Sequence, residues 1–166
     1  VYHCLSRVVD RRFIFGPGEK ERFVQFLREY EQFCGVEVLT YCLMSNHFHI
    51  LVEVPQRAEA SLPAEEVLRR LEGLSGAAVT AGKARQMLEM FAKANDEAGT
   101  QAYLESFTRR MGDVSQFIKR LKQRFTQWYN RRNGRKGTLW EDRFKSVLVE
   151  GEGDALVTMA AYIELN

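Results

Sequence analysis

Two of the chain's three histidines, His47 and His49, flank Phe48 in a run of β-forming residues. Side chains two positions apart on a strand point to the same face, so this spacing can present both imidazoles to one metal ion and turns Phe48 to the opposite face. A catalytic Mg²⁺ or Mn²⁺ site also takes an oxygen donor. The pair therefore indicates part of a metal site, although surface or hydrogen-bonded histidines show the same spacing.

The C-terminal stretch contains groups that can complete such a site. Tyr162 and Asn166 are four residues apart in a helical pattern, so their side chains share one helical face. The amide oxygen of Asn166 can bind the metal with the Tyr162 hydroxyl beside it. The same spacing is also common in ordinary amphipathic helices. His3, in the first predicted strand, is either a third ligand or a structural histidine.

Tyr129 is the alternative nucleophile, because it lies in a basic segment and Asn133 follows it four residues later. Gly134 predicts that the helix ends near Asn133, where the helical register is lost. Tyr162 is therefore preferred.

Positive charge is concentrated in one segment of a chain whose net charge is only +2. Residues 109–145 contain twelve lysines and arginines against three acidic residues, and they also contain six aromatic residues. A charge run is usually a solvated helix face, but basic residues interleaved with aromatic ones are typical of nucleic-acid-binding surfaces. This segment predicts a surface that binds phosphates.

Composition excludes several classes of protein. The chain has 166 residues, 45% of them hydrophobic and 28% charged, which is typical of a folded globular protein. Its three cysteines, without a CxxC pair, argue against a disulfide framework or a zinc knuckle. We find no secretory signal and no apolar run long enough to span a membrane. These features predict a cytosolic protein that is not bound to a membrane.

The hydrophobic pattern predicts the elements that position these groups. They are a strand over 1–7, a helix over 19–33, strands over 36–44 and 47–54, a helix over 113–130, a strand over 144–150 and a helix over 154–166. Residues 56–108 predict two or three short helices that form an inserted subdomain or lid. Without the insert, the order predicts an α+β fold, a ferredoxin-like antiparallel sheet with helices on one face and a catalytic C-terminal helix. We expect one domain over 1–166, with its core in 1–55 and 111–166 and a helical insert at about 56–110.

Four stretches resemble the REP-associated tyrosine transposases, a branch of the single-tyrosine HUH transposases with an IS200-like domain. They are Tyr2-His3 with Ser6-Arg7, LMSNHFHILV at 43–52, GTLWEDRFKS at 137–146 and AYIELN at 161–166. The resemblance covers both ends of the chain, about 1–55 and 111–166, in the right order. Relatives continue beyond the position of Asn166 with a proline-containing turn, and the chain starts at Val1, so we expect it to be shortened.

The resemblance implies a function and a set of site residues. His47, His49 and Asn166 would bind Mg²⁺ or Mn²⁺, and Tyr162 would attack DNA to give a 5′-phosphotyrosine and a free 3′-OH. A second 3′-OH can reverse this step, so strands are joined without ATP. The substrate would be single-stranded or hairpin DNA, and the enzyme a monomer or homodimer in the prokaryotic cytoplasm, associated with the nucleoid. The expected DNA contacts are Arg7, Lys119, Lys122, Arg131, Arg132, Arg135, Lys136, Trp140, Arg143 and Lys145.

Two non-catalytic functions remain as alternatives. One is a hairpin- or single-strand-binding module on a ferredoxin-like sheet, similar to RNA-recognition domains, which stack bases on exposed sheet aromatics. The sequence has His, Phe and His at this position, which favours metal chemistry. The other is an inactive transposase derivative that only binds hairpins. The presence of His47, His49 and Tyr162 argues against this alternative.

Overall fold

The computed structural model describes residues 1–55, 62–150 and 153–165. The elements, in chain order, are β1 (Tyr2–Arg7), α1 (Pro17–Cys34), β2 (Glu37–Leu43), β3 (His47–Glu53), α2 (Ala64–Glu72), α3 (Ala78–Lys93), α4 (Glu97–Thr108), α5 (Val114–Arg132), β4 (Lys145–Leu148) and α6 (Asp154–Glu164). None of the described helices is long and apolar enough to cross a lipid bilayer.

The four strands form one antiparallel sheet in the order β2-β3-β1-β4. With α1 after β1 and α5 before β4, this is the ferredoxin-like arrangement that the sequence predicts. The central strand β3 is buried from Phe48 to Val52, as expected for a strand that is covered on both faces.

One face of the sheet packs against α1 and α5. Cys4, Phe48 and Ile50 point to this face and are fully buried in the main hydrophobic core. Phe23 of α1 and Phe125 of α5 meet there, with ring centroids 5.2 Å apart. This packing explains the three- and four-residue spacing of apolar residues in both helices.

The opposite face of the sheet packs against α6, which contacts β2 and β3. Leu51, Val149 and Ile163 are buried in a second, smaller cluster. Three further apolar residues of α6 border this cluster. They are Leu156, Met159 and Ala160.

The insert forms three helices, α2, α3 and α4, on the α1 side of the molecule. Val67, Leu68 and Leu71 of α2 are buried in the same hydrophobic cluster as α1 and α5. The Arg124 guanidinium of α5 donates a hydrogen bond to the Ser75 carbonyl at 2.7 Å. The insert therefore packs on the helical side of the fold, whereas α6 packs on the face that carries His49.

The predicted element boundaries need small corrections. Helix α1 begins at Pro17, two residues earlier than predicted, because proline is favoured in the first turn and needs no hydrogen-bond donor there. Asp113 caps α5 and accepts from the Ser115 and Gln116 amides. Asp154 is the first residue of α6, and Gly153 precedes it at φ 79°. Helix α5 continues to Arg132, and Asn133 ends it.

Candidate active site

The β1–β3 register determines where the two histidines lie. His47 pairs with Arg7, and His49 pairs with Leu5. Both histidines point to the α6 face, with ring centroids 5.1 Å apart. Phe48 points the other way and is fully buried in the main core. The spacing therefore produces the shared face that the sequence predicts.

Asn46 orients the ring of His47. The Asn46 Nδ2 donates to the Arg11 carbonyl at 3.1 Å, which turns the amide oxygen of Asn46 towards His47. His47 Nδ1 lies 2.7 Å from that oxygen. Since an amide oxygen only accepts, Nδ1 carries the proton and Nε2 keeps its lone pair. Metal-bound histidines commonly donate their second ring nitrogen in this way.

His3 makes the corresponding contact to His49. The Nε2 of His3 lies 2.9 Å from the Nδ1 of His49, and the two rings stack at a centroid distance of 5.2 Å. Nδ1 is therefore engaged in both His47 and His49. The second nitrogen of His47, Nε2, is then the atom that can bind a metal ion. The same holds for His49 when its Nδ1 carries the proton and donates to the Nε2 of His3.

Burial favours the neutral form of these histidines. It lowers the pKa of His49 to about 4, and the nearby charges of His3, His47 and Arg7 add to the effect. Burial, and then the charge of Arg7, also lower the pKa of His47. Because only neutral imidazole binds a metal ion, the shifts favour coordination at physiological pH.

Helix α6 brings Tyr162 to the same place. The Tyr162 ring meets His49 edge-on at a centroid distance of 5.8 Å and His3 at 6.3 Å. About half of the Tyr162 side chain is exposed. Ile163, the next residue, is fully buried against the sheet, and Glu164 accepts from the Thr40 hydroxyl at 3.3 Å. These contacts fix the helix beside the histidines. Because its side chain is half exposed, Tyr162 is accessible to a substrate.

The expected third ligand, Asn166, lies outside the described residues. Within the described ranges, no group of three or more histidine, cysteine or acidic side chains is arranged to hold a metal ion. The two Nε2 atoms nevertheless fit a metal that takes two imidazoles and completes its shell with an amide oxygen and water.

Tyr129, the alternative nucleophile, lies elsewhere. Its ring packs against Phe125 at 6.1 Å on the main-core side, and Arg135 lies over it at 5.9 Å. Asn133 ends α5 and donates its side-chain amide to the Tyr129 carbonyl. Tyr129 therefore contacts none of the histidines through its ring.

Three of the predicted DNA contacts lie together beside the histidines. Arg7, Arg143 and Lys145 line a cavity of about 110 Å³, together with Leu5, Ser6, Glu141 and Asp142. The cavity adjoins the site, because Arg7 pairs with His47 in the sheet and Leu5 pairs with His49. A phosphate held there would lie next to the imidazoles.

Two other predicted DNA contacts, Lys122 and Trp140, are buried. Lys122 donates to the Asp142 carbonyl at 2.9 Å, and its ammonium group lies over the Trp140 ring at 5.2 Å. The Trp140 indole donates to the Thr126 hydroxyl at 2.9 Å and packs against Phe48. Neither side chain is presented to solvent, so we leave both out of the proposed DNA surface.

The remaining predicted contacts divide into two groups. Arg131, Arg132 and Lys136 are exposed at the C-terminal end of α5, and Arg135 is partly buried against Tyr129. Lys119 is exposed in the first half of α5, about 18 Å along the helix from Arg131. The basic segment is therefore not one continuous surface.

The sequence profile of the family described as "Transposase IS200 like" matches residues 1–91. The chain belongs to this family. Its members are transposases, enzymes that process DNA, and the matched part of this IS200-like transposase contains all three histidines. Tyr162 and the basic segment lie outside the matched residues.

Other comparisons add little about this IS200-like transposase. A crystal structure of a "putative transposase from Deinococcus radiodurans R1" is 14% identical with a TM-score of 0.43, and the match covers 99% of this chain and 88% of that chain. Neither value is high enough to transfer a function or a residue role. No relative of curated function matches the chain.

Sequence reasoning missed the part that Asn46 plays in this site. The residue stands in the LMSNHFHILV stretch, directly before His47, and an amide next to a candidate ligand is a usable signal. The contact between His3 and His49 left no signal in the sequence, because it depends on a pairing between strands 46 residues apart.

Proposed function

We propose that this IS200-like transposase is a metal-dependent, single-strand DNA endonuclease and strand transferase that cuts with Tyr162. The main support is the contact of the Tyr162 ring with His49, which lies beside His47. Both of these histidines have an engaged Nδ1 and an Nε2 that is left to bind a metal ion. Tyr162 comes from α6 and the histidines from β3, so the contact is not a result of local sequence.

His47 and His49 would hold the metal ion, with Asn166 as the third protein ligand. A bound Mg²⁺ or Mn²⁺ supplies charge that stabilises the phosphate oxygens during displacement. Asn46 and His3 act as positioning residues, because they bond the Nδ1 atoms and orient the rings. On this interpretation His3 is a hydrogen-bond partner of His49 and not a third ligand.

Tyr162 would perform the covalent step. Its phenolic oxygen forms a bond to the scissile phosphorus, and the bond from phosphorus to the 3′ oxygen breaks. The phenolic proton passes to solvent, and the departing oxygen takes up a proton to become a 3′-OH. The product is a 5′-phosphotyrosine, and attack by another 3′-OH reverses the step and joins strands.

Arg7, Arg143 and Lys145 would hold the phosphates next to the scissile bond. The flanks of hairpin DNA are the proposed substrate, as in the REP-associated branch of the family. The enzyme would work at the nucleoid in the prokaryotic cytoplasm, where its DNA substrate lies. It would be a monomer or homodimer with one domain.

A non-catalytic module of the RNA-recognition kind has less support. Such a module needs aromatic side chains on the open sheet face to stack bases. Here that face carries His3, His47 and His49, and Phe48 is fully buried on the other side.

A covalent adduct tests the proposal. Protein, Mn²⁺ and a library of hairpins with randomised single-stranded flanks, labelled at the 3′ end, are incubated and run on a denaturing gel. The parent protein and Tyr129→Phe should both give a protein-linked label, whereas Tyr162→Phe should give none. His47→Ala and His49→Ala should bind DNA without forming the adduct. An adduct with Tyr162→Phe that is lost in Tyr129→Phe would move the nucleophile to α5.

A further inference from the structure

A second positively charged surface lies where the insert joins α5. It is a cavity of about 490 Å³ that is lined by four basic and two amide side chains, from the turn after α4 and the first half of α5. They are Arg109, Arg110, Gln116, Lys119, Arg120 and Gln123. The lining contains no acidic residue, in contrast to the cavity beside the histidines.

The basic side chains of this cavity lack ion-pair partners among the described residues. The Nε of Arg120 is buried without a hydrogen-bond partner, while its guanidinium lies over the Phe33 ring at 5.6 Å. Burial and the charges of Arg120 and Arg109 lower the pKa of Arg110. Four cations held together without a counter-charge favour an anionic ligand.

The cavity is remote from the histidines. The amide of Gly112, in the turn after Arg110, donates to the Cys34 carbonyl at the end of α1, just before β2 begins. His47 follows the far end of β2, about 20 Å away along the strand. Helix α5 also packs on the sheet face opposite to α6. One phosphate cannot contact both sites.

We propose that this cavity binds backbone phosphates of duplex DNA. Surfaces that bind single strands combine cations with aromatic rings on which bases stack, and the lining has no aromatic side chain. Guanidinium, ammonium and amide groups are those that contact phosphates of a double helix without reading its bases. The cavity would hold a helical stem while a single-stranded flank lies at the histidines.

The dimensions of DNA are compatible with this division. One turn of double helix extends about 34 Å, which exceeds the length of β2. One turn of a stem is therefore longer than the separation of the two sites along β2. The inference gives the helical insert a part in binding, since Arg109 and Arg110 follow α4 directly.

The test measures the salt dependence of binding to a blunt duplex and to a single strand of equal length. The variant is Arg109→Gln with Lys119→Gln, two exposed positions. The matched control is Lys83→Gln with Lys93→Gln, exposed on α3. For the duplex, the variant should reduce the log–log slope by about 1.8, because each phosphate that is no longer bound removes about 0.9. Its single-strand slope and the slopes of the control should equal those of the parent.

Several outcomes would overturn the inference. One is an unchanged duplex slope in the variant and in Lys119→Glu, when thermal melting shows that both proteins are folded. Another is an equal loss in the control, which would mean a general charge effect. Pyrophosphate binding that is lost in the variant while the duplex slope stays unchanged would assign the cavity to a small polyphosphate. None of these outcomes depends on Tyr162. The cavity is tested by the duplex slope and the cleavage by the adduct of the parent and of Tyr162→Phe, so this inference and the proposed cleavage fail separately.

Discussion

Asn46 connects two parts of the chain through one side chain. Its Nδ2 bonds the Arg11 carbonyl, and its Oδ1 accepts from His47. Arg11 has a φ of 54°, an uncommon conformation for a residue with a side chain. The loop after β1 thus contributes to the orientation of a candidate metal ligand, and a change in Asn46 should alter metal binding.

We expect Asn46→Ala to weaken Mn²⁺ binding by about 10- to 100-fold, because the His47 ring loses the acceptor that fixes its proton on Nδ1. Asn46→Asp keeps an acceptor oxygen and should recover most of the affinity. Calorimetric titration of Mn²⁺ into the DNA-free protein measures this effect. Ser45→Ala, at the neighbouring exposed position, is the control. Parent-like affinity in Asn46→Ala would remove its positioning role.

For individual residues, the sequence predicted which side chains form the candidate site more fully than it predicted the contacts between them. The spacing of His47 and His49 determines a shared face once a strand forms, so that part followed from the residues. The contact between His3 and His49 requires β1 to pair with β3 in one register. A shift by one residue would turn His3 to the other face, and no local pattern specifies that choice.

Helix α5 shows what an amphipathic pattern leaves open. Phe117, Ile118, Leu121 and Phe125 are buried, as their spacing predicts. Lys122 lies at the edge of this stripe and is covered by the segment that contains Trp140 and Asp142, which returns over the helix. Helical periodicity cannot tell which edge residues a later segment covers, so Lys122 and Trp140 were predicted as DNA contacts.

Burial of Lys122 has a measurable effect on stability. It lowers the pKa of Lys122 from 10.5 to about 8, despite the opposing charge of Asp142. Between these values the unfolded chain binds a proton that the folded chain does not, so stability from this group rises with pH. It is fully present above pH 10.5 and lost as the pH falls through 8.

The free energy of unfolding of the parent, relative to Lys122→Met, should therefore rise between pH 8 and 10.5 by up to about 3 kcal/mol. Urea unfolding of both proteins at a series of pH values measures the difference between their free energies of unfolding. The contributions of other titrating groups cancel in this difference. Lys119→Met, a substitution at an exposed position of the same helix, is the matched control. Parallel curves for the parent and Lys122→Met would mean that Lys122 is solvated.

On the scale of the whole molecule, exposed positive charge occurs in separate regions. Arg7, Arg143 and Lys145 adjoin the histidines, Arg131 and its neighbours extend from the end of α5, and Lys119 belongs to the cavity at the insert. The sequence predicted one basic segment, because these positions are close in the chain. Their separation follows from the length of α5 and the return of the chain to the sheet.

The group at the end of α5 should act on single strands. Removing the charges of Arg131, Arg132 and Lys136 by substitution with glutamine should lower the single-strand log–log slope by about 0.7 for each phosphate that is no longer bound. Filter binding over a range of salt concentrations measures the slope. The Lys83→Gln and Lys93→Gln pair should leave it unchanged. If all three substitutions together also leave it unchanged, the strand follows another path.

The two unequal hydrophobic clusters imply that the molecule does not open as one unit. Among the described residues, helix α6 packs in a cluster of three buried and five partly buried side chains, whereas α1, α5 and the insert share a much larger one. A segment with few buried contacts detaches at a lower free energy than the remainder of a protein unfolds. Tyr162 therefore belongs to an element that can leave the sheet while the histidine pair stays ordered. Detachment of α6 would let a DNA strand enter between Tyr162 and the metal site. The rate at which α6 opens would then limit how fast the strand is bound.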